Sequence, residues 1–150
     1  MGQAATTAVS GCSFCRIVAG QDEAQLVLET HEIVAFLDRR PVFKGHVLVV
    51  PRQHVDTLTD LPQEQIQPLF SAASAVAQAV KDGLGAQGSF VAVNNTVSQS
   101  VPHLHVHVVP RTKGDGLRGF FWPRTTYAEG EPEDYAHRLR EALAHPPGLR

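Results

Sequence analysis

"VPHLHVHVVPR", residues 101–111, places His103, His105 and His107 at every second position, with Leu104, Val106 and Val108 between them. Residues two apart on a β-strand point to one face, roughly 6.5–7 Å from each other, whereas a helix would scatter them around its circumference. The intervening residues are aliphatic or β-branched, as a half-buried strand requires. The stretch therefore reads as a strand with one face on an apolar core and three imidazoles on the other. What those imidazoles meet decides the function.

Working outward, "SFVAVNN" (89–95) predicts a second strand, followed by the polar loop "TVSQS" (96–100). "KGHVLVVPR" (44–52) predicts another, ended by Pro51. "QLVLETHEIVAFLD" (25–38) reads as two short strands around a turn at Thr30–Glu32. Between them, Asp60-Leu61-Pro62 signals a helix start, with Asp60 as cap and Pro62 in the first turn. Ile66, Leu69, Phe70, Ala73, Val76, Ala77, Val80 and Leu84 then recur at helical spacing, and Gly83 and Gly85 end the run. Pro68 predicts a kink or a late start, because proline lacks an amide donor and clashes one turn back. "FCRIVAG" (14–20) predicts a short helical turn. "GDGLRGFFWPR" (114–124) reads as loop, and "EPEDYAHRLREALAH" (131–145) as a short terminal helix. Short connections between the early strands favour an α+β fold: an antiparallel sheet of about five strands with one long helix.

A chain of 150 residues with net charge −2 suggests one domain with an ordinary core and argues against charge-driven nucleic-acid binding. Residues 1–10 read as a flexible tail and 11–150 as a single domain, with a C-terminal extension from about residue 112. No apolar run approaches the roughly 18–20 residues of a membrane span, and "MGQAATTAVSGCSFC" lacks the regions of a signal peptide. Met1-Gly2 with Thr6 fits a myristoylation signal only loosely. A cytoplasmic location is expected, since paired cysteines without a secretion signal suggest a reducing compartment.

Two chemistries fit the histidine face. Histidines two apart on a strand can share a metal ion. Alternatively, a neutral imidazole is a good nucleophile near pH 7, and crowded imidazoles disfavour one another's protonation. Cys12-Ser13-Phe14-Cys15 adds a thiolate pair, which needs two further ligands to close a tetrahedral zinc site. Both readings can hold at once: zinc tying the N-terminal segment to the sheet, and another histidine free for chemistry.

The motif "HLHVHVV", together with "CSFCRIVAG" (12–20), "VAFLDRRPVFKGHVLVVPRQHVDTLTDL" (34–61) and "VNN…SQSVPHLHVHVVPR" (93–111), resembles the histidine triad family of nucleotide hydrolases and transferases, in that family's order and spacing. The resemblance covers roughly residues 12 to 111 and implies specific roles. His105 would be the nucleophile that attacks an α-phosphate and forms a nucleotidyl-histidine intermediate. His107 would contact the phosphate and leaving group, and His46 would complete the histidine cluster. Phe36, Phe14 and Ile17 would wall a base pocket, although Phe14 and Ile17 equally fit ordinary core. Asp38, two residues from Phe36 on a strand, would accept from ribose hydroxyls. Asn94 (or the adjacent Asn95), Gln99 and Ser100 would contact phosphate, with loop capping as the alternative. Structural zinc would be bound by Cys12, Cys15, His54 and His103, as in bacterial-type members. The family's habit implies a homodimer and a purine nucleotide substrate.

Two features depart from the family pattern. Its Gly-Gln before the triad is Ser98-Gln99 here, and the loop after Asn94 is shorter than in some branches. The segment "GDGLRGFFWPR" (114–124) resembles only some members; Trp122 would reach a neighbouring subunit's site, as C-terminal segments do in part of the family, or equally would pack in the core or on the surface. The expected activity is hydrolysis of a nucleoside phosphoramidate, acyl-adenylate or dinucleoside polyphosphate. The alternatives are a nucleotide-sensing module and a zinc hydrolase using metal-bound water.

Overall fold

Val47–Pro51 (β3) is apolar at every position and buried at every position, as expected of a central strand covered on both faces. The computed structural model describes residues 8–117 and 124–144. Around β3 stand Leu26–Glu29 (β1), Ile33–Leu37 (β2), Gly88–Val93 (β4) and Val106–Arg111 (β5), in the order β1-β2-β3-β5-β4. All pairings are antiparallel. The helices are Ser13–Val18 (α1), Gln63–Leu84 (α2) and Glu131–Ala144 (α3). The fold is α+β, as the sequence predicts.

Alternation along the strands divides the core in two. Ile33, Ala35, Val47, Val49, Val106 and Val108 pack on Leu69, Ala72, Ala73 and Val76 of α2. Val34, Phe36, Leu48 and Val50 on the opposite face pack with Cys12, Phe14 and Cys15 at the start of α1. Of the three alternating histidines, His107 lies within β5, in register with Leu48 of the second face. The register places Phe36, Leu48 and His107 opposite one another across β2, β3 and β5.

Several expectations need correction. The histidine strand begins only at Val106, so His103 and His105 precede the ladder. Pro102 has no amide to give, the Leu104 N–H turns to the Val55 carbonyl (2.8 Å), and the Pro51 carbonyl is taken by the His103 ring (2.8 Å). Asp38 lies one residue past the end of β2, although its N–H still reaches the His46 carbonyl at 2.9 Å. Asp60 does not cap α2. Its carboxylate turns back to the Thr57 N–H (3.1 Å) and hydroxyl (2.7 Å), closing a 3-10 turn over Leu58–Asp60, and Pro62 takes the cap position. Helix α2 starts at Gln63 and runs through Pro68 for 22 residues without a break. Only one hydrogen bond, in the second turn, is forfeited there. Ile66, Phe70 and Leu84 of the expected stripe are exposed and Ala77 is partly buried, while Ala72 is buried in addition to Leu69, Ala73, Val76 and Val80.

The chain divides into two compact units, one reaching to Lys113 and the other beginning at Gly114. The second contains α3, whose Tyr135 ring carries the Arg138 guanidinium at 4.7 Å. Most of the residues read as a flexible tail, and Trp122, lie outside the described residues. Within that tail, Val9 is already engaged: its N–H is 3.4 Å from Cys15 Sγ and its carbonyl accepts from the Cys12 N–H at 3.1 Å.

Candidate active site and metal centre

The His105 ring is oriented by a neighbour that can only accept. Its Nδ1 lies 2.8 Å from the carbonyl oxygen of His103, which selects the tautomer of the neutral ring with the proton on Nδ1 and the lone pair on Nε2. Phe14 meets the ring edge-on at 5.1 Å, and the His107 ring lies 4.8 Å away. The ring is 3% exposed, so its position is set by packing as well as by that hydrogen bond.

A second chain of bonds sets His107. The Val42 N–H donates to His46 Nδ1 at 3.1 Å, which leaves the His46 proton on Nε2. That Nε2–H faces His107 Nδ1 at 2.9 Å, so His107 in turn is protonated at Nε2. His107 Nε2 is buried and has no partner among the described residues. An unpaired buried donor is costly, and at a functional site it marks where a ligand acceptor goes. Burial first, then the neighbouring His105 and His46, push the His107 pKa down to about 4. His46 is also lowered, chiefly by burial, with the Asp38 carboxylate opposing and His105 adding to the fall. Both are therefore neutral at physiological pH and keep these proton positions.

A cleft of about 230 Å³ opens in front of these rings. Phe14, Ile17, Phe36, Asp38, Ser100, His105 and His107 of the expected residues line it. His46 stands behind His107, fully buried. Asp38 has one oxygen on the Arg40 N–H (2.9 Å) and the other 3.7 Å from His46 Nδ1. Asn94 and Gln99 are not among the lining residues. Gln99 spends its amide on the loop, accepting from the Thr96 N–H (2.9 Å) and donating to the Asp56 carbonyl (2.6 Å). Asn95 likewise accepts from the Leu58 N–H at 2.8 Å. In that loop Thr96 and Ser98 adopt positive φ, 68° and 62°. Ser98 thus occupies the left-handed conformation that glycine takes without steric cost. Arg16, Asp22, Arg39, Leu48 and Val101 also line the cleft and were missed in the sequence. Arg16 is next to Ile17 in a motif already noted, which is the one signal that pointed to it.

On the other side of His105, four donor atoms converge. Cys12 Sγ, Cys15 Sγ, His54 Nδ1 and His103 Nδ1 all lie within 4.8 Å of one another. His103 Nδ1 is 3.5 Å from Cys12 Sγ and 3.6 Å from Cys15 Sγ, and His54 Nδ1 is 3.3 Å from Cys15 Sγ. Ligands at zinc bond lengths of about 2.0–2.3 Å on a tetrahedron stand roughly 3.3–3.8 Å apart, so the spacing fits. The outer nitrogens fit as well. His103 Nε2–H donates to the Pro51 carbonyl (2.8 Å) and His54 Nε2–H to Asp56 Oδ1 (2.9 Å), which turns both Nδ1 lone pairs toward the sulfurs. Asp56, also missed in the sequence, is thus the carboxylate behind a candidate ligand histidine. Both cysteines are free thiols, and burial pushes Cys15 above the usual thiol range. This cluster could hold a metal ion through two sulfurs and two nitrogens. Asp38, His46 and His107 form a second group of close donor atoms, and they belong to the cleft just described.

Residues 19–114 match the HIT domain family. The chain is 37% identical over 126 residues to Protein hit of Bacillus subtilis, which covers 82% of this chain and 86% of that protein. It is 32% identical over 114 residues to adenosine 5′-monophosphoramidase of Schizosaccharomyces pombe, covering 75% and 83% respectively. Among solved structures it is similar to a zinc-bound histidine triad family protein from Mycobacterium smegmatis, at 36% identity and a TM-score of 0.68 over 89% of this chain and 94% of that one.

Proposed function

From the premise that this chain belongs to the HIT (histidine triad) family, we propose that it hydrolyses purine nucleoside 5′-phosphoramidates, or related nucleotides with a leaving group on the α-phosphate, by way of a nucleotidyl-histidine. One observation carries the reading: the His103 carbonyl fixes the His105 proton on Nδ1, which leaves an unprotonated Nε2 beside the unpaired Nε2–H of His107. The His105 Nε2 lone pair forms a bond to the α-phosphorus as the bond to the leaving group breaks. The departing amine takes its proton from solvent. The His107 Nε2–H donates to a phosphoryl oxygen as negative charge gathers there, in a position preorganised by His46 and Val42. Water then attacks the phosphorus and gives up a proton to solvent as the P–N bond breaks, which returns His105 to its starting state and releases the nucleoside monophosphate. Asp38 accepts from the ribose, Phe14, Ile17 and Phe36 enclose the base, and Ser100 contacts the phosphate.

Zinc held by Cys12, Cys15, His54 and His103 would supply a structural cross-link between the N-terminal segment and the segment that carries His103 and His105. Four protein ligands leave no open position, which disfavours the alternative of metal-activated water. We expect a homodimer. Ile66 (41% exposed) and Phe70 (38%) lie on an exposed apolar face of α2, and β4 is an edge strand among the described residues with Val91 exposed. The free thiols suit a reducing compartment, in keeping with a cytoplasmic location. Among the described residues no helix is long and apolar enough to cross a membrane.

A panel of adenosine and guanosine phosphoramidates, acyl-adenylates and dinucleoside polyphosphates, with product identification, tests the proposal. We expect release of the nucleoside monophosphate, loss of several orders of magnitude in kcat for His105→Ala, and survival of nucleotide binding in that variant. Tight binding with negligible turnover by the wild type would favour a nucleotide sensor instead.

A further inference from the structure

The lining of the cleft carries a charged pair that the reaction does not use. Arg16 Nε bonds Asp22 Oδ2 at 2.8 Å, and both side chains are more than a third exposed. The pair is held in place by the backbone. The Arg16 carbonyl accepts from the N–H groups of Gln21 (2.8 Å) and Asp22 (3.3 Å), so the chain leaving α1 folds back at Gly20 (φ 75°) and returns Asp22 to Arg16. Both residues face the cleft beside its apolar members: Arg16 precedes Ile17 and Asp22 lies two before Ala24, both of which line the same space. Neither is bonded to the histidine cluster or to Asp38 in the hydrogen bonds given above.

A salt bridge of this kind leaves unsatisfied capacity. With Nε committed, the two terminal nitrogens of Arg16 remain donors, and Asp22 Oδ1 remains an acceptor. The pair therefore presents donors and an acceptor side by side. Guanine offers the complementary edge, with O6 as acceptor and N1–H and the N2 amino group as donors; adenine offers N1 as acceptor and only the N6 amino group as donor. We propose that Arg16 and Asp22 read the edge of the base and favour guanine, Arg16 donating to O6 and Asp22 accepting from N1–H and the 2-amino group. The proposal rests on the nucleotide reading of the cleft and adds a base preference to it.

Calorimetric titration of the wild type, Asp22→Asn and Arg16→Gln with GMP, IMP and AMP tests it, because the hypoxanthine of IMP differs from guanine only by lacking the 2-amino group. The wild type should bind GMP about fivefold to tenfold more tightly than IMP, and Asp22→Asn should reduce that difference to less than about twofold. Arg16→Gln should weaken GMP and IMP together, since both carry O6. Because the contact is made equally in ground and transition states, the change should reside in KM and not in kcat for the corresponding phosphoramidates. Equal GMP and IMP affinities in the wild type, or a ratio unmoved by Asp22→Asn in a variant with wild-type thermal stability, would overturn the assignment while leaving the nucleotide cleft intact. Failure of all three nucleotides to bind the wild type would instead overturn the nucleotide reading, and this inference with it.

Discussion

An imidazole attacks only through an unprotonated nitrogen, and two backbone groups decide which nitrogens are free here. The His103 carbonyl fixes His105, and the Val42 N–H fixes His46 and through it His107. The arrangement requires neutral rings, and that requirement has a consequence for stability. His107 titrates at about 4 in the folded protein against an ordinary value of 6.5. Between these values the unfolded chain binds a proton that the folded chain refuses, so stability rises with pH across this window. The stabilisation is full above 6.5, declines as the pH falls below it, and stops declining below about 4. In His107→Gln the fall in thermal midpoint between pH 6.5 and 4 should be shallower than in the wild type. An unchanged slope would show that His107 is not held neutral by its surroundings.

At the scale of elements, α1 is six residues long and too short to be stable alone. It is held by what it covers: Phe14 packs on Phe36 at 5.3 Å and on His105, and Cys12 and Cys15 face His103 and His54. Purified protein should contain about one zinc per chain by elemental analysis. Cys12→Ser combined with Cys15→Ser should lose the zinc and lower the melting temperature, because metal binding free energy is shared with folding. Some turnover should persist, since His105 is untouched. Metal-free reduced wild type would defeat this account of the cluster. Part of this was legible in the residues: strand alternation places the elements and the C-x-x-C pair supplies two donors, whereas His54 and His103 were named as the other two only by the resemblance to the histidine triad family. What was not legible depended on competition between partners. Period-two spacing cannot show that the ladder stops at Val106, because the groups that end it come from Pro51 and Val55. Asp60 before a proline reads as a cap until Thr57 claims its carboxylate. That the Gln99 amide closes the loop is likewise set by distant partners that the sequence does not signal. The Arg16–Asp22 pair depends on a chain reversal that neither residue signals.

For the unit that ends at Lys113, a five-stranded sheet lies between α2 on one face and the N-terminal segment on the other. Helical periodicity alone could not say which of α2's neighbouring apolar stripes the sheet would cover. The sheet takes Leu69, Ala72, Ala73, Val76 and Val80 and leaves Ile66 and Phe70 outside. If that exposed face pairs two copies, Ile66→Glu with Phe70→Glu should convert a dimer to a monomer in sedimentation analysis, because burying two carboxylates without partners is prohibitive. A monomeric wild type at micromolar concentration would contradict the expected assembly. Across the same unit, the cleft collects residues from α1, β2, β3, β5 and the loop before β5, so that the residues proposed to contact base, ribose and phosphate surround His105. The most direct test of that convergence is to mix the wild type with excess adenosine 5′-phosphoramidate, quench within the first turnover under non-acidic conditions, and locate the adduct by peptide mass spectrometry. The account predicts an acid-labile, base-stable nucleotidyl group on His105, absent from His105→Ala. A wild-type adduct mapped to any other residue would contradict it.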